Sequence, residues 1–559
     1  MHGCLHHVLH RGVINTKMAL AHRVNICPLL NTFYCKCVTK TTRFVSQLPG
    51  SKVGSAAFPG NQTFSEMIAY RRDQAHRSII VKVQSFNIAS KLYHFCSNHG
   101  KILNVFPYTT LDNQRFILIE FEQSDNIQEL RNRTNKFTNN AETVCTVSPL
   151  FIYTRAAGSD YNNTHALNEV STYPKCFLTT PSKIANKLKP LKTVSEQMVS
   201  LYDILTISEL DFRLRFYTAE QLTYYLSRLF MNLYVVPFGS SVNGFGQKGC
   251  DLDLVCRSFN LSKPGQKPKS FHFLTQTVTF SDKLKQREFL ETVSVLMKTC
   301  IPGIRSIRSI LEARVPIIKF TNYTTNVQCD LSSTNTIALC MSEMLYTYAE
   351  LDSRVRPLVC TVRKWAKVQQ ITRDNPGHWI TNFSLTLLVI FYLQIKNILP
   401  PLNNLLPYTS KEVKHVDTSW AKKFSSSNNE GLDKLLYGFF KYYSEFDFKV
   451  QAICVREGKI KEKKENSPIY IYNPFERSLN VSKNINQIEL VRLLHQFQSA
   501  LYTFITTDES EIILSLLNYP TNSSSSNVDR NIVLNEQSEL LNEELLSTNN
   551  SEKMKEIIK

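Results

Sequence analysis

The stretch that decides the fold is Phe238-Gly-Ser-Ser-Val-Asn-Gly-Phe-Gly-Gln-Lys-Gly-Cys-Asp-Leu-Asp-Leu-Val255. It continues a β-rich run, and a Gly239-Ser240 turn after a strand can offer backbone N–H groups and a hydroxyl to a phosphate. The apolar residues around Asp251 and Asp253 indicate a second strand, whose period of two puts both carboxylates on one face. The stretch therefore predicts a hairpin-like unit that holds a phosphate-binding turn beside paired carboxylates.

The same stretch contains Gly244-Phe-Gly-Gln-Lys-Gly249, which satisfies the glycine pattern of dinucleotide-binding folds. In those folds the glycines follow a strand and open a helix. Here a β-rich run follows the glycines, so we reject a dinucleotide site.

Two carboxylates on one face repel each other unless a positive charge neutralises them, and Mg²⁺ prefers such hard oxygen ligands. A third carboxylate, Asp330, lies in a strand predicted over Val327–Leu331, which would pair beside Val315–Phe320. Asp330 would then reach the same ions as Asp251 and Asp253. Each feature also has a simpler interpretation: solvent-facing aspartates at strand ends, and an ordinary Gly-Ser turn.

In combination, the Gly-Ser turn, the aspartate pair and the distant single aspartate resemble the nucleotidyltransferases of the DNA polymerase β superfamily. Within that superfamily the chain looks like the noncanonical poly(A) and poly(U) polymerases, especially their mitochondrial members, over about residues 201–502. Three further segments carry the resemblance: Trp379-Ile-Thr-Asn-Phe-Ser-Leu-Thr386, Ile471-Tyr-Asn-Pro-Phe-Glu476 and Asn480-Val-Ser-Lys-Asn484. The resemblance implies an α+β fold, with a nucleotidyltransferase palm on a mixed sheet and a helical central and poly(A)-polymerase-associated domain.

The resemblance also implies an activity, the template-independent addition of nucleotides to the 3′ end of RNA. Asp251, Asp253 and Asp330 would be the catalytic residues and would hold Mg²⁺ or Mn²⁺ in a two-metal mechanism. The nucleotide-binding residues that it implies are Phe238, Gly239, Ser240, Ser342, Arg363, Lys367, Asn382, Phe383, Asn473 and Glu476.

Some of these assignments also agree with local spacing, and some depart from the family pattern. Arg363 and Lys367 lie four residues apart, so they share one helix face, as a pair of triphosphate ligands or as a solvated basic face. Phe383 replaces a tyrosine of related enzymes and lacks its hydroxyl, and without the resemblance it reads as a core residue. Met341-Ser342 replaces an Asn-Thr pair that reads the ribose, which leaves Ser342 as the candidate.

The segment that contains Asn473 and Glu476 resembles the nucleotide-recognition loop of the family. Relatives that add uridylate often carry a histidine three residues after the glutamate, and here that position is Leu479. This favours ATP as the substrate. A terminal uridylyltransferase and a noncatalytic RNA-binding scaffold remain the alternatives.

Charge and composition agree with a polyanionic partner. The formal net charge is +18, and the chain carries no acidic residue before Glu66. An acid-free leader with spaced basic residues predicts a mitochondrial transit peptide over residues 1–55 and location in the matrix. The 14 cysteines are scattered without a CxxC pair, and no apolar run is long enough to span a membrane.

The remaining domains follow from local patterns. Residues 70–153 read as a small α/β unit that resembles an RNA-recognition-motif (RNP-like) domain, with Phe116 and Phe121 as the aromatics available for stacking. This unit would bind RNA or serve in dimerisation or packing, and the resemblance to mitochondrial enzymes implies a homodimer. We predict a linker over about residues 155–190, the palm over 195–340, the helical domain over 341–518 with part of 195–233, and a disordered tail over 519–559.

Basic clusters could hold the RNA strand. One group, Arg305, Arg308 and Arg314, precedes the third aspartate, and a charged loop is predicted over residues 459–464. A solvated loop is an equally good interpretation of the second cluster.

Overall fold

A computed structural model describes residues 62–134, 150–152, 180–230, 233–258, 283–375, 377–406 and 424–520. The predicted leader and nearly all of the predicted tail lie outside these residues. Within them, no helix is both long and apolar enough to cross a membrane.

The N-terminal domain alternates helices with the strands of one sheet. Its elements are α1 (Phe64–His76), β1 (Ser78–Val83), α2 (Ala89–Ser97), β2 (Ile102–Thr109), β3 (Arg115–Phe121), α3 (Asp125–Thr134) and β4 (Leu150–Ile152). The order in the sheet is β2-β3-β1-β4, in which β1 pairs antiparallel with β3 and parallel with β4. An RNA-recognition fold has this order with antiparallel neighbours throughout, so the parallel β4 leaves that fold unconfirmed.

Both faces of this sheet are buried. One face packs on the domain's own helices through Leu92, Cys96, Ile127 and Leu130. The other face, with Phe106, Tyr108 and Phe116, packs on α6 (Glu209–Leu226) of the palm. Phe116 and Phe121 are 1% and 0% exposed, so neither ring is available to stack on an RNA base.

The palm is a five-stranded sheet covered by helices. It contains β5 (Leu233–Phe238), β6 (Leu252–Ser258), α7 (Lys283–Cys300), β7 (Ile304–Ile310), β8 (Ile317–Asn322) and β9 (Val327–Ser332), in the sheet order β5-β6-β9-β8-β7. β6 and β9 are parallel, and the other neighbours are antiparallel. Alternate residues of the strands face α6 and α7, which gives a core that includes Leu222, Leu252, Leu290 and Leu331.

The helical domain draws on segments before and after the palm. Its elements are α4 (Pro181–Leu188), α5 (Val194–Leu205), α8 (Thr336–Leu351), α9 (Val355–Val368), α10 (Asn382–Ile395), α11 (Leu432–Ser444), β10 (Gln451–Cys454), β11 (Lys459–Glu462), α12 (Gln487–Thr506) and α13 (Ile512–Leu516). They share one core around Trp365, whose ring packs against Phe440 and Phe497.

Four expectations differ from the structure, three of them at domain edges. Residues 181–188, within the predicted linker, form α4, because Ile184 and Leu188 fall on one buried face of an otherwise polar segment. α8 runs across the predicted palm boundary at 340, and Tyr519 is buried in the helical core rather than starting the tail. Residues 459–462, read as part of a loop, form β11 and pair with β10.

Candidate active site

The three predicted carboxylates meet on neighbouring strands at the centre of the palm sheet. Asp253 on β6 lies directly opposite Asp330 on β9 in the parallel register, and Asp251 immediately precedes β6. The sequence prediction that Asp330 lies beside the aspartate pair is confirmed. Adjacent positions of a sheet point to the same face, so the two strand residues present their carboxyl groups side by side.

The electrostatics of the site show that these carboxyl groups repel one another. Burial, together with the charges of Asp330 and Asp251, raises the pKa of Asp253 to about 7. Burial and Asp330 also raise the pKa of Asp251, while the cations Lys319 and Arg215 oppose that rise. The site therefore holds more negative charge than its own cations neutralise.

A divalent cation fits this donor set because it would relieve the repulsion between hard oxygen ligands. Within the described residues, no three histidine, cysteine, aspartate or glutamate side chains already form a group able to hold a metal ion. Instead, Nζ of Lys319 lies 2.5 Å from Oδ2 of Asp330 and supplies the nearest positive charge. Lys319 occupies the position on β8 opposite Asp330, a role that the alternating strand pattern did not single out.

The Gly239-Ser240 turn lies against the carboxylates. Residues 239–241 form one turn of 3₁₀ helix after β5, and Gly239 has a φ of 70°, which favours glycine. A Cβ at this position would lie 2.3 Å from Oδ2 of Asp253, so the backbone must approach the carboxylate closely. Phe238, the last residue of β5, is opposite Asp253 in register. The predicted phosphate turn and the predicted metal ligands thus form one unit.

Ser342 is buried rather than open to a ribose. Its hydroxyl accepts a hydrogen bond from the N–H of Gly239 at 2.7 Å and donates one to the carbonyl of Ala338 at 2.7 Å. The side chain is 2% exposed. These contacts tie α8 to the Gly-Ser turn, so Ser342 acts on the shape of the turn in this structure.

Arg363 and Lys367 both lie on α9, but their present partners differ. Nη1 of Arg363 donates to the carbonyl of Phe245, and its shielded Nε donates to no group of the described residues. Because that nitrogen is buried, a phosphate would reach it only after the side chain turns outward. Nζ of Lys367 instead lies 3.0 Å from Oδ1 of Asp374, a carboxylate whose charge also acts on Asp251. The sequence offered no signal for Asp374.

Asn382 and Phe383 begin α10 after the capping hydroxyl of Thr381. Asn382 is exposed, and Phe383 is half-buried against the helical core. Phe383 therefore packs on the helical core, as its sequence context suggests, and keeps part of its surface exposed.

The predicted recognition loop is held by its own asparagines. Oδ1 of Asn473 accepts the backbone N–H groups of Phe475 and Glu476, which fixes the turn and leaves its amide nitrogen for other contacts. Glu476 faces the palm, where its Oε2 lies 3.6 Å from Nη2 of Arg314. Arg314 follows β7, so this ion pair connects the palm to the recognition loop.

Two asparagines that carried the resemblance are structural supports. Asn480 bonds to the backbone of Ile469 and Ile471, and Nδ2 of Asn484 donates to the carbonyls of Gly377 and Trp379. Asn484 thereby fixes the segment that leads into α10. Side-chain amides that satisfy several backbone groups explain why this motif needs asparagine.

Comparisons with known proteins agree with this arrangement. The family model for the central palm domain of mitochondrial-like poly(A) RNA polymerases matches residues 194–350, that of the Cid1 family poly A polymerases matches 432–479, and that of the RL domain matches 63–135. The mitochondrial poly(A) RNA polymerase of Drosophila melanogaster is 33% identical over 478 residues, which cover 81% of this chain and 77% of the relative. The human enzyme of that name is 32% identical over 503 residues, with 85% of each chain covered.

Solved structures of mtPAP share the fold of this chain. The crystal structure of mtPAP in complex with ATPγS superimposes with a TM-score of 0.70 at 32% identity, and that in complex with UTP with a TM-score of 0.71 at 32% identity. Each comparison covers 82% of this chain and 98% of the other. With its aspartates in register, its glycine turn against them and this identity over most of its length, the chain belongs to the mitochondrial poly(A) RNA polymerases, a family of nucleotidyltransferase enzymes.

Proposed function

We propose that this protein transfers AMP from ATP to the 3′-hydroxyl of mitochondrial RNA without a template. The observation that carries the proposal is the register of Asp253 and Asp330 on neighbouring strands, with the backbone of Gly239 against Asp253. In-line displacement at a phosphate needs negative ligands for cations beside a cradle for the leaving group.

Different groups of the site would bind the triphosphate and the metal ions. The N–H and hydroxyl of Ser240 in the Gly239-Ser240 turn would hold the triphosphate, since the N–H of Gly239 already donates to Ser342. Arg363 would join them once its buried guanidinium turns outward, and Lys367 by leaving Asp374. Asp251, Asp253 and Asp330 would hold Mg²⁺ or Mn²⁺, which supplies Lewis acidity to the attacking and leaving oxygens. The attacking 3′-hydroxyl would approach on the Asp330 side.

Base choice is assigned to the recognition loop. Leu479 leaves room where uridylate-adding relatives often carry a histidine, and Glu476 is held toward the palm by Arg314. Because mtPAP structures exist with both ATPγS and UTP, occupancy of the pocket does not distinguish substrates. Incorporation is therefore the measurement that decides between adenylate and uridylate.

The cellular setting belongs to the same proposal. The acid-free leader supports a transit peptide and a matrix location, and the net charge of +18 supports an RNA partner. The homodimer implied by the resemblance remains a proposal. The buried faces of the N-terminal sheet favour a packing role over RNA stacking for that domain.

Extension of a labelled RNA primer tests the proposal. The purified protein is incubated with the primer, Mg²⁺ and each nucleoside triphosphate separately, with Asp253→Ala as the inactive control. We expect long products with ATP and a preference over UTP of roughly tenfold or more. Equal or faster extension with UTP would instead identify a uridylyltransferase, and no extension with any nucleotide would identify a noncatalytic scaffold.

A further inference from the structure

Arg215 is a buried cation behind the catalytic strands that the mechanism above does not use. It lies in the middle of α6 and is 4% exposed. Among the described residues no carboxylate forms an ion pair with it, whereas Arg213, two residues earlier, pairs with Glu120 and Glu209. A buried charge without a direct counter-ion is costly, so its position requires a reason.

The hydrogen bonds of Arg215 reach both ends of the loop between β5 and β6. Its Nε donates to Oγ of Ser241 at 3.1 Å, at the end of the Gly-Ser turn. Its Nη2 donates to the carbonyl of Cys250 at 2.6 Å, one residue before Asp251. One planar guanidinium therefore fixes the distance between the turn and the first carboxylate.

Ser241 extends this link to Asp251 itself. The hydroxyl that accepts from Arg215 donates to the carbonyl of Asp251 at 3.2 Å, and Ser241 is 1% exposed. The contact from Arg215 to Ser241 is buried, and that from Ser241 to the backbone of Asp251 is partly buried. Such outer contacts orient metal ligands and tune their affinity.

We propose that Arg215 is a positioning residue for nucleotidyl transfer, which holds the Gly-Ser turn and Asp251 at the separation that metal and triphosphate binding require. The inference rests on the proposed function and assigns a determinant of metal affinity within it. Lysine keeps the charge but cannot reproduce two bonds in a fixed plane, so the geometry rather than the charge is what the substitution removes.

The test is Mn²⁺ binding in the absence of nucleotide, because a triphosphate would itself chelate the ion, and it is measured by the electron paramagnetic resonance signal of free Mn²⁺. The variants are Arg215→Lys and Ser241→Ala, with Arg213→Lys as the matched control, because Arg213 is equally buried but faces the N-terminal domain. Melting temperatures are recorded for every variant. If Arg215→Lys does not fold, Ser241→Ala still tests the inference.

We expect the half-saturating Mn²⁺ concentration to rise roughly tenfold in Arg215→Lys and by a smaller factor in Ser241→Ala. In both variants kcat should fall by a larger factor than the KM for RNA changes. Arg213→Lys should bind Mn²⁺ as the parent does, even where its melting temperature falls. Parental Mn²⁺ affinity in both Arg215→Lys and Ser241→Ala, or an equal shift in Arg213→Lys, would overturn the inference. If the parent binds Mn²⁺ but extends no RNA, the proposed function fails, and the same titrations still judge the role of Arg215.

Discussion

Replacement of Asp253 by asparagine is expected to stabilise the metal-free protein at pH 8. The pKa of this carboxyl is raised from 3.8 to about 7 by burial and by Asp330 and Asp251. Since each pKa unit corresponds to about 1.4 kcal/mol, ionisation of Asp253 costs the folded state up to about 4 kcal/mol. Solvent access and relaxation of the side chain reduce the expected cost to about 2 kcal/mol.

The sign of the pH dependence follows from the direction of the pKa change. An acid with a raised pKa in the folded state destabilises that state once it ionises, so the cost is absent below about pH 4, grows through pH 7 and is constant above it. Asparagine has nearly the same shape and carries no charge. The stability gain in Asp253→Asn should therefore be about 2 kcal/mol at pH 8 and close to zero at pH 4.

Calorimetry in EDTA, and again with excess Mg²⁺, measures this effect. Without metal, the variant should melt several degrees above the parent at pH 8. Mg²⁺ should raise the melting temperature of the parent more than that of the variant, because the cation relieves the repulsion that the substitution has already removed. A variant that is less stable than the parent in EDTA at pH 8 would refute the electrostatic reasoning.

Three other substitutions test separate parts of the structure. Gly239→Ala should abolish primer extension, because the new Cβ would lie 2.3 Å from Oδ2 of Asp253 and the φ of 70° adds about 1–2 kcal/mol of strain. Primer extension at the parental rate would contradict this expectation. Asp374→Asn should free Lys367 and lower the KM for ATP about twofold at low salt, and this effect should disappear at about 0.5 M KCl. An unchanged KM for ATP at low salt would show that the ion pair does not compete with the nucleotide. Phe116→Ala should destabilise the fold by about 3–5 kcal/mol. At a temperature where the variant is still folded, its Kd for single-stranded RNA should equal that of the parent. Weaker RNA binding by the folded variant would indicate that the ring stacks on a base.

The sequence predicted the strands of the site because their residues alternate between apolar and polar. The strand predicted over Val327–Leu331 is β9 (Val327–Ser332), and Asp330 lies beside the aspartate pair as expected. The parallel pairing of β6 and β9 was not visible in either strand alone. The resemblance implied a mixed sheet but not which strands pair in parallel, so this pairing comes from the structure.

Contacts between distant segments account for what the sequence did not predict. Lys319 reads as an ordinary strand residue until β8 is placed beside β9, and the Arg314–Glu476 pair joins segments more than 160 residues apart. Ser342 was expected at the ribose because of its neighbours in the family pattern, yet its hydroxyl is used by the backbone of Gly239. β11 was missed because its lysines and glutamate have the composition of a solvated loop, although the backbone pairs with β10.

The helix α6 serves three apolar surfaces at once. Leu210, Leu214 and Tyr217 pack on the N-terminal sheet, Phe216 packs on α1, and Leu222 belongs to the palm core. Removing residues 62–152 would leave the first of these surfaces in water and take α1 away from the second, next to the arginine that contacts the catalytic loop. Loss of activity in such a truncated enzyme would then reflect a distorted palm. Deletion of the N-terminal domain therefore cannot test whether that domain binds RNA.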